Sequence, residues 1–310
     1  MLATILFFLA LLAPMQQQRP GAPVQTPAGI PTEPAPHPPE GGDDIMHHVL
    51  DERVLNVPFV GYVDLPSAGS WMLGPIDVTP TKYVVFLWLT GLLVLLVVLP
   101  AARAAKRVRE KGDAAHGGHN VIEAIILFFR DQIVMPNIGH GGERFVPFVV
   151  TLFFFIAISN LLGLVPYGGA ATASISVTAM LAVMSLVVIE YAGIRQLGWG
   201  YLNTIFYWNK ELSLPLRVLM LLILSPVELL GKLAKPFALA IRLMANMTAG
   251  KIVIYSLLGL IFLFGSWWIV VGPLVMTVVL TFLKIFVAFL QAYIFALLTS
   301  VFIGLIRHAH

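Results

Sequence analysis

The chain is 310 residues long, 58% hydrophobic and only 11% charged, with a mean hydropathy of +0.89, whereas soluble domains carry about 25% charged residues. That composition excludes a soluble globular protein and marks an integral membrane protein. There is no cysteine, which removes disulfides, thiolate metal sites and cysteine nucleophiles, and the formal net charge is a modest +3.

Residues 1–13, "MLATILFFLALLA", are too short an apolar run to cross a bilayer. Residues 1–18 read as a signal peptide, although the run lacks the basic n-region of such peptides. The Pro-rich stretch 19–42, "PGAPVQTPAGIPTEPAPHPPEGG" at its centre, cannot build a core and reads as an extended linker. Residues 43–81 form an N-terminal segment opening with "DDIMHHVLDERV", a candidate short surface helix. Its His47 and His48 lack a nearby third ligand, so solvated side chains are the favoured reading, and no metal or cofactor is expected.

Charge is sorted along the chain. Between Pro20 and Thr81 the acids Glu33, Glu40, Asp43, Asp44, Asp51, Glu52, Asp64 and Asp77 stand against the single base Arg53. Directly after "YVVFLWLTGLLVLLVVLPAA" comes "RAAKRVREK", with Arg103, Lys106, Arg107, Arg109 and Lys111. Positive charge favours the cytoplasmic side, so the N-terminus is expected outside and the first membrane helix, about Tyr83 to Ala102, runs inward.

"NVIEAIILFFRDQIV", Asn120 to Val134, is apolar on one helical face and interrupted by Glu123, Arg130 and Asp131, as suits a helix at the membrane surface. "FVPFVVTLFFFIAISNLLGLVP" and "TASISVTAMLAVMSLVVIEYAG" are long enough to span, and the loop between them holds no Lys or Arg. The segment with Arg195, Lys210 and Arg217 returns to the inside. From Val218 onward the chain is almost continuously apolar, and Pro273 to Ile306 contains one charge, Lys284. A helix of that length is about 50 Å long, well over what a perpendicular span needs. The expected fold is therefore an all-α membrane protein. It has about five membrane-crossing helices plus an amphipathic surface helix, the last two long and strongly tilted, with residues 82–310 as the membrane domain.

"PFALAIRLMANMTAGK" sets a guanidinium, Arg242, inside one of these apolar runs, at a cost of about 2.5 to over 10 kcal/mol unless it is compensated. No Asp or Glu follows Glu228 in the chain, although Lys232, Lys235, Arg242, Lys251, Lys284 and Arg307 all lie beyond it. Only Glu123, Glu190 and Glu228 reach the membrane region, and Glu228 is most simply occupied by Lys232 and Lys235 on its own helical face. Pro236 marks a bend before the arginine. Snorkelling to the surface is the ordinary fate of a membrane arginine. Here the better reading is that the partner carboxylate of Arg242 belongs to another chain. Ala238, Ala240, Ala245, Ala249 and Gly250 are small enough for close helix approach. Asn246 lies one turn from Arg242, and Lys284 and Gln291 share a face of the last helix. Two polar stripes with a fixed positive charge suit a hydrated ion path, although an interhelical hydrogen bond accounts for Gln291 equally well.

"ALAIRLMANMTAG" followed by "FVAFLQAYIFALLTSVFI" strongly resembles subunit a of rotary F-type ATP synthases of bacterial type, the static half of the membrane motor. "FVPFVVTLFFFIAISNLLGLVP" and "DDIMHHVLDERV" resemble earlier parts of that family, so the likeness covers approximately residues 45–308. The resemblance implies a non-catalytic, multi-pass subunit of the bacterial inner membrane, with the C-terminus cytoplasmic. Its implied partners are a ring of c subunits, the b subunit of the stator stalk, lipid and protons, with no nucleic acid. By position, Arg242 resembles the family's essential arginine and Gln291 the glutamine facing it. Asn246 and Glu228 resemble polar residues of the two aqueous half-channels. Lys251 and Lys284 depart from the pattern, since relatives usually carry an acid or histidine at these positions of the half-channel open to the outside, so an acid–histidine relay does not carry over and protons are expected to pass these lysines by way of water. H⁺ and Na⁺ are equally open as coupling ions.

Two other classes compete. A secondary transporter would bind an anionic substrate at Arg242, but such proteins show internal repeats, and none is visible here. A structural membrane anchor would leave Arg242 unexplained.

Overall fold

A computed structural model describes residues 54–57, 61–64, 72–73, 76–77, 81–111, 119–165, 168–201, 214–264 and 267–307. The stretches read above as a signal peptide, a linker and, up to Arg53, a histidine-bearing helix lie outside the described residues. Ahead of the membrane domain stand two short antiparallel hairpins that the sequence reading did not anticipate. In one, β1 (Val54–Val57) pairs with β2 (Gly61–Asp64), Val54 opposite Asp64. In the other, β3 (Met72–Leu73) pairs with β4 (Ile76–Asp77).

The remainder is helical, as expected of an all-α membrane protein. α1 (Lys82–Lys111) runs past the apolar stretch into the basic cluster, because Ala, Arg, Lys and Glu are strong helix formers. α2 (His119–Phe128) passes into a π-helical turn, Phe129–Val134, and then into α3 (Met135–Ile138). Gly139 and Gly141, at φ 73° and 80°, end this surface element in a conformation that favours glycine. α4 (Val146–Leu162) and α5 (Ile175–Leu197) follow, and two long helices complete the chain, α6 (Leu214–Phe264) and α7 (Trp267–Arg307).

Four stretches among the described residues are long and apolar enough to cross a membrane: Lys82–Pro100, Gly142–Leu162, Ile175–Leu197 and Val271–Arg307. α6 is longer than any of them. At 51 and 41 residues, α6 and α7 measure about 75 and 60 Å, against a hydrocarbon core of about 30 Å. Helices of that length must lean, curve or continue beyond the bilayer. Pro226 and Pro236 both lie inside α6, so neither ends it, and the bend expected at Pro236 does not interrupt the helix.

α4 is the central post, buried on nearly every side and packed chiefly against α1 and α7. Phe129 of the π-turn stacks on Phe153 of α4 with ring centroids 4.6 Å apart, and Tyr293 of α7 closes the cluster at 6.2 Å from Phe129. Leu152, Ile156, Leu181, Leu243, Phe295 and Ile303 are fully buried and draw α4, α5, α6 and α7 into one core.

The end of α7 is clamped to the surface element. The Ile133 carbonyl accepts hydrogen bonds from both Asn137 Nδ2, at 2.7 Å, and Ser300 Oγ, at 3.3 Å. Arg307 donates to His140 O at 2.8 Å and to Gln196 Oε1 at 3.3 Å. Gly304 lies so close to Asn137 that any side chain there would run into its backbone carbonyl. A backbone obstacle cannot swing aside, so Gly304→Ala should lower stability by about 1–3 kcal/mol. A reduced thermal midpoint of the purified protein would show this, and an unchanged midpoint would refute the close approach.

Candidate functional site

α6 divides its faces by burial. Leu239, Ala240, Leu243 and Met247 are buried and turn toward the bundle. On the opposite face Ala238, Arg242, Ala245 and Ala249 are exposed, so the guanidinium stands on a strip of small residues bordered by Ile241, Ile252 and Val253. Of the small residues singled out in the sequence, Ala240 therefore serves internal packing, whereas Ala238, Ala245 and Ala249 leave space around the arginine. Among the described residues Arg242 enters no ion pair and no hydrogen bond. Its neighbour Asn246 is half-buried.

Gln291 lies on α7 with Ala288, Ala292 and Phe295, all buried, and Lys284 on the same helix is half-buried. The shared face of Lys284 and Gln291 is thus present, but it turns into the bundle. Arg242 is exposed and Gln291 is 6% exposed, and no hydrogen bond joins them among the described residues. α6 buries the stripe through Leu243 and α7 the stripe through Gln291.

One turn before Gln291, the Ala288 carbonyl accepts a hydrogen bond from Asn160 Nδ2 of α4 at 3.3 Å. Asn160 Oδ1 in turn accepts one from Thr172 Oγ1 at 2.7 Å, and the Thr172 amide donates to Ser159 Oγ at 3.3 Å. All three side chains are buried. This network, which sets the height of α7 beside α4, escaped the sequence reading. Its signal was the Ser-Asn pair inside the apolar run of α4.

Lys251 and Lys284 do come together. Lys251 is buried, and Gly250 beside it has no room for a side chain because the Lys284 methylenes and ammonium cross over its Cα. Lys82, at the start of α1, is also buried and stands within electrostatic reach of Lys251. Its membership was not foreseen.

Glu228 requires a correction. It is exposed and forms no ion pair among the described residues. Lys232, expected to occupy it, instead lies 3.7 Å from Glu190 Oε1 and donates to Tyr201 Oη at 2.8 Å. Lys235, the second expected partner, sits 5.0 Å above the ring of Phe302. Tertiary partners on α5, α7 and the 3-10 turn Gly198–Tyr201 outcompete a local helical pair worth about 0.2–0.5 kcal/mol.

Removing Asn160 while keeping Thr172 leaves a buried hydroxyl without its acceptor, which costs about 1–3 kcal/mol. Asn160→Leu should therefore destabilise the chain more than the pair Asn160→Leu/Thr172→Val does, as read from thermal melts in detergent. Equal destabilisation would deny the hydrogen bond its role.

The model of the family described as "ATP synthase A chain" matches residues 84–304. ATP synthase subunit a of Anaeromyxobacter dehalogenans (strain 2CP-C) is 42% identical over 289 residues, covering 87% of this chain and 73% of that protein. ATP synthase subunit a of Chloroherpeton thalassium is 42% identical over 262 residues, covering 84% of this chain and 76% of that protein. ATP synthase subunit a 2 of Chlorobaculum tepidum is 40% identical over 266 residues, with 85% and 72% covered.

Proposed function

The chain belongs to the ATP synthase A chain family, and we propose that it is the stationary proton-conducting subunit of the membrane sector. In this reading two aqueous half-channels and Arg242 couple proton flow to rotation of a ring of c subunits. The observation that carries it is the state of Arg242: a permanent cation on an exposed strip of small residues, in a chain with no carboxylate after Glu228. A ring of small hairpin subunits, each bringing one carboxylate past that strip, supplies the missing charge.

The mechanism follows from elementary electrostatics. A proton enters from outside, neutralises a ring carboxylate and travels with it through lipid for most of a turn. Beside Arg242 the fixed cation favours the ionised carboxylate, and the proton leaves through the second half-channel toward the cytoplasm. The same cation repels a proton attempting to cross directly between the half-channels. Each charge moved is worth about 2.3 kcal/mol per 100 mV, so several are needed per useful turn. No bond is made or broken in this chain, which acts as a conductor within an enzyme assembly rather than as an enzyme.

The same reading gives the remaining polar residues their places. Glu228 and Asn246 line the half-channels, and Gln291 borders the ring-facing helix pair. Lys251 and Lys284, packed together over Gly250, flank the entry path, with protons passing by way of water. The N-terminus lies outside, the C-terminus is cytoplasmic, α6 supplies the fifth crossing, and a b subunit anchors the whole against rotation. The coupling ion is taken as H⁺.

Arg242→Ala in membrane vesicles should abolish ATP-driven proton pumping with the complex still assembled, and add a passive leak once the soluble motor is stripped off. Unchanged pumping would remove the motor mechanism. Lys251→Met and Lys284→Met should each leave passive proton flux nearly unaltered, whereas complete loss in either would give that lysine a direct part in the relay.

A further inference from the structure

Lys232 is held with unusual care. Its ammonium lies 3.7 Å from Glu190 Oε1 of α5, donates to Tyr201 Oη at 2.8 Å and rests 4.5 Å from the centroid of the same ring. Tyr201 is buried, and its ring edge lies against Gly193, where a side chain would meet both Tyr201 and Ile306 of α7. The glycine stands one turn after Glu190 on α5, so one helix supplies both the carboxylate and the bare backbone on which the tyrosine is seated. The Lys232 side chain is 10% exposed and Glu190 26% exposed.

The consequence falls on Glu228. A Glu four residues before a Lys is the favourable order for a helical ion pair, and Lys232 occupies that position. Glu228 is nevertheless exposed and without an ion pair among the described residues. Three other cations among the described residues of this region are also engaged elsewhere. Lys235 lies over Phe302, Arg195 of α5 donates to Tyr191 Oη at 3.0 Å, and Arg307 of α7 donates to His140 O and Gln196 Oε1.

We propose that Glu190, Tyr201 and Gly193 form a holding site for Lys232 that keeps the Glu228 carboxylate uncompensated and available to the departing proton. Glu190 and Tyr201 are thus positioning residues for proton exit, acting through Lys232 on Glu228. The inference rests on the assignment of Glu228 to a half-channel under Proposed function, and deepens it. Released from its site, Lys232 would fold back by one helical turn onto Glu228 and tie up the exit carboxylate.

Passive proton flux through membranes stripped of the soluble motor tests this in four forms of the assembled complex: unaltered, Glu190→Gln, Glu228→Gln and the double variant, with subunit content matched by immunoblot. Glu190→Gln should slow flux by about twofold, the size of one helical Glu–Lys pair. In the Glu228→Gln background the same change should do nothing, since Lys232 then has no carboxylate to compensate. Should Glu190→Gln fail to assemble, Tyr201→Phe keeps the ring, removes the hydroxyl that accepts from Lys232, and should slow flux with the same dependence on Glu228. Equal slowing in both backgrounds would reduce the site to structural support and overturn the proposal. Slowing by Glu228→Gln alone, with neither Glu190→Gln nor Tyr201→Phe having any effect, would overturn it while leaving the half-channel assignment intact. Unaltered flux in Glu228→Gln would remove that assignment, and the proposal with it.

Discussion

A guanidinium that stays charged at every physiological pH, set on an open apolar helix face, is the constraint from which the rest follows. Hydrocarbon does not tolerate it and no carboxylate pairs with it among the described residues, which is why the proposed function draws its compensation from a neighbouring surface. Everything around Arg242 is compatible with that demand. Ala238, Ala245 and Ala249 keep the surrounding strip low, while Leu239, Leu243 and Met247 on the other face anchor the helix firmly enough to hold the charge in place. A long, exposed apolar surface on α7, including Leu274, Val278, Phe282, Phe286 and Phe289, extends the same demand along the partner helix.

Elsewhere several polar groups find partners within the chain. Asn160, Thr172 and Ser159 satisfy one another inside the core, and the cations Lys232, Lys235 and Arg307 each find a carboxylate, ring or carbonyl within the chain. Buried polar groups are normally satisfied, so such pairings mark architecture. Against that background Arg242 and Glu228, both exposed and neither in an ion pair among the described residues, stand out more clearly than either does in the sequence.

The helices were legible because twenty or so apolar residues in water-free surroundings have few alternatives to an α-helix, and the basic cluster after α1 marked where the first one emerges. The isolation of Arg242 was legible for a simpler reason, since a missing carboxylate can be established by reading the chain to its end. What could not be read were relations between distant segments. Lys232 prefers Glu190 and Tyr201 to the nearer Glu228, Lys82 joins Lys251 across the bundle, and Gln291 turns inward, all decided by how helices lie together. The π-turn at Phe129–Val134 and the hairpins of β1 to β4 were likewise invisible, because a one-residue change in helical register and strands of two to four residues leave almost no periodic trace.

The clamp at the end of α7 has a mechanical meaning. Under the proposed function a ring moving past α6 and α7 would push them sideways, and a helix held only by lipid would be swept along. Ser300 and Arg307 tie the last turns of α7 to Ile133 and His140, and Gly304 lets the helix sit directly on the backbone at Asn137. On that reading the tangential load is handed through these contacts to the surface element, which spreads it over a second footing. The subunit can then resist torque as a braced frame does, through the stiffness of its corner rather than the strength of any single strut.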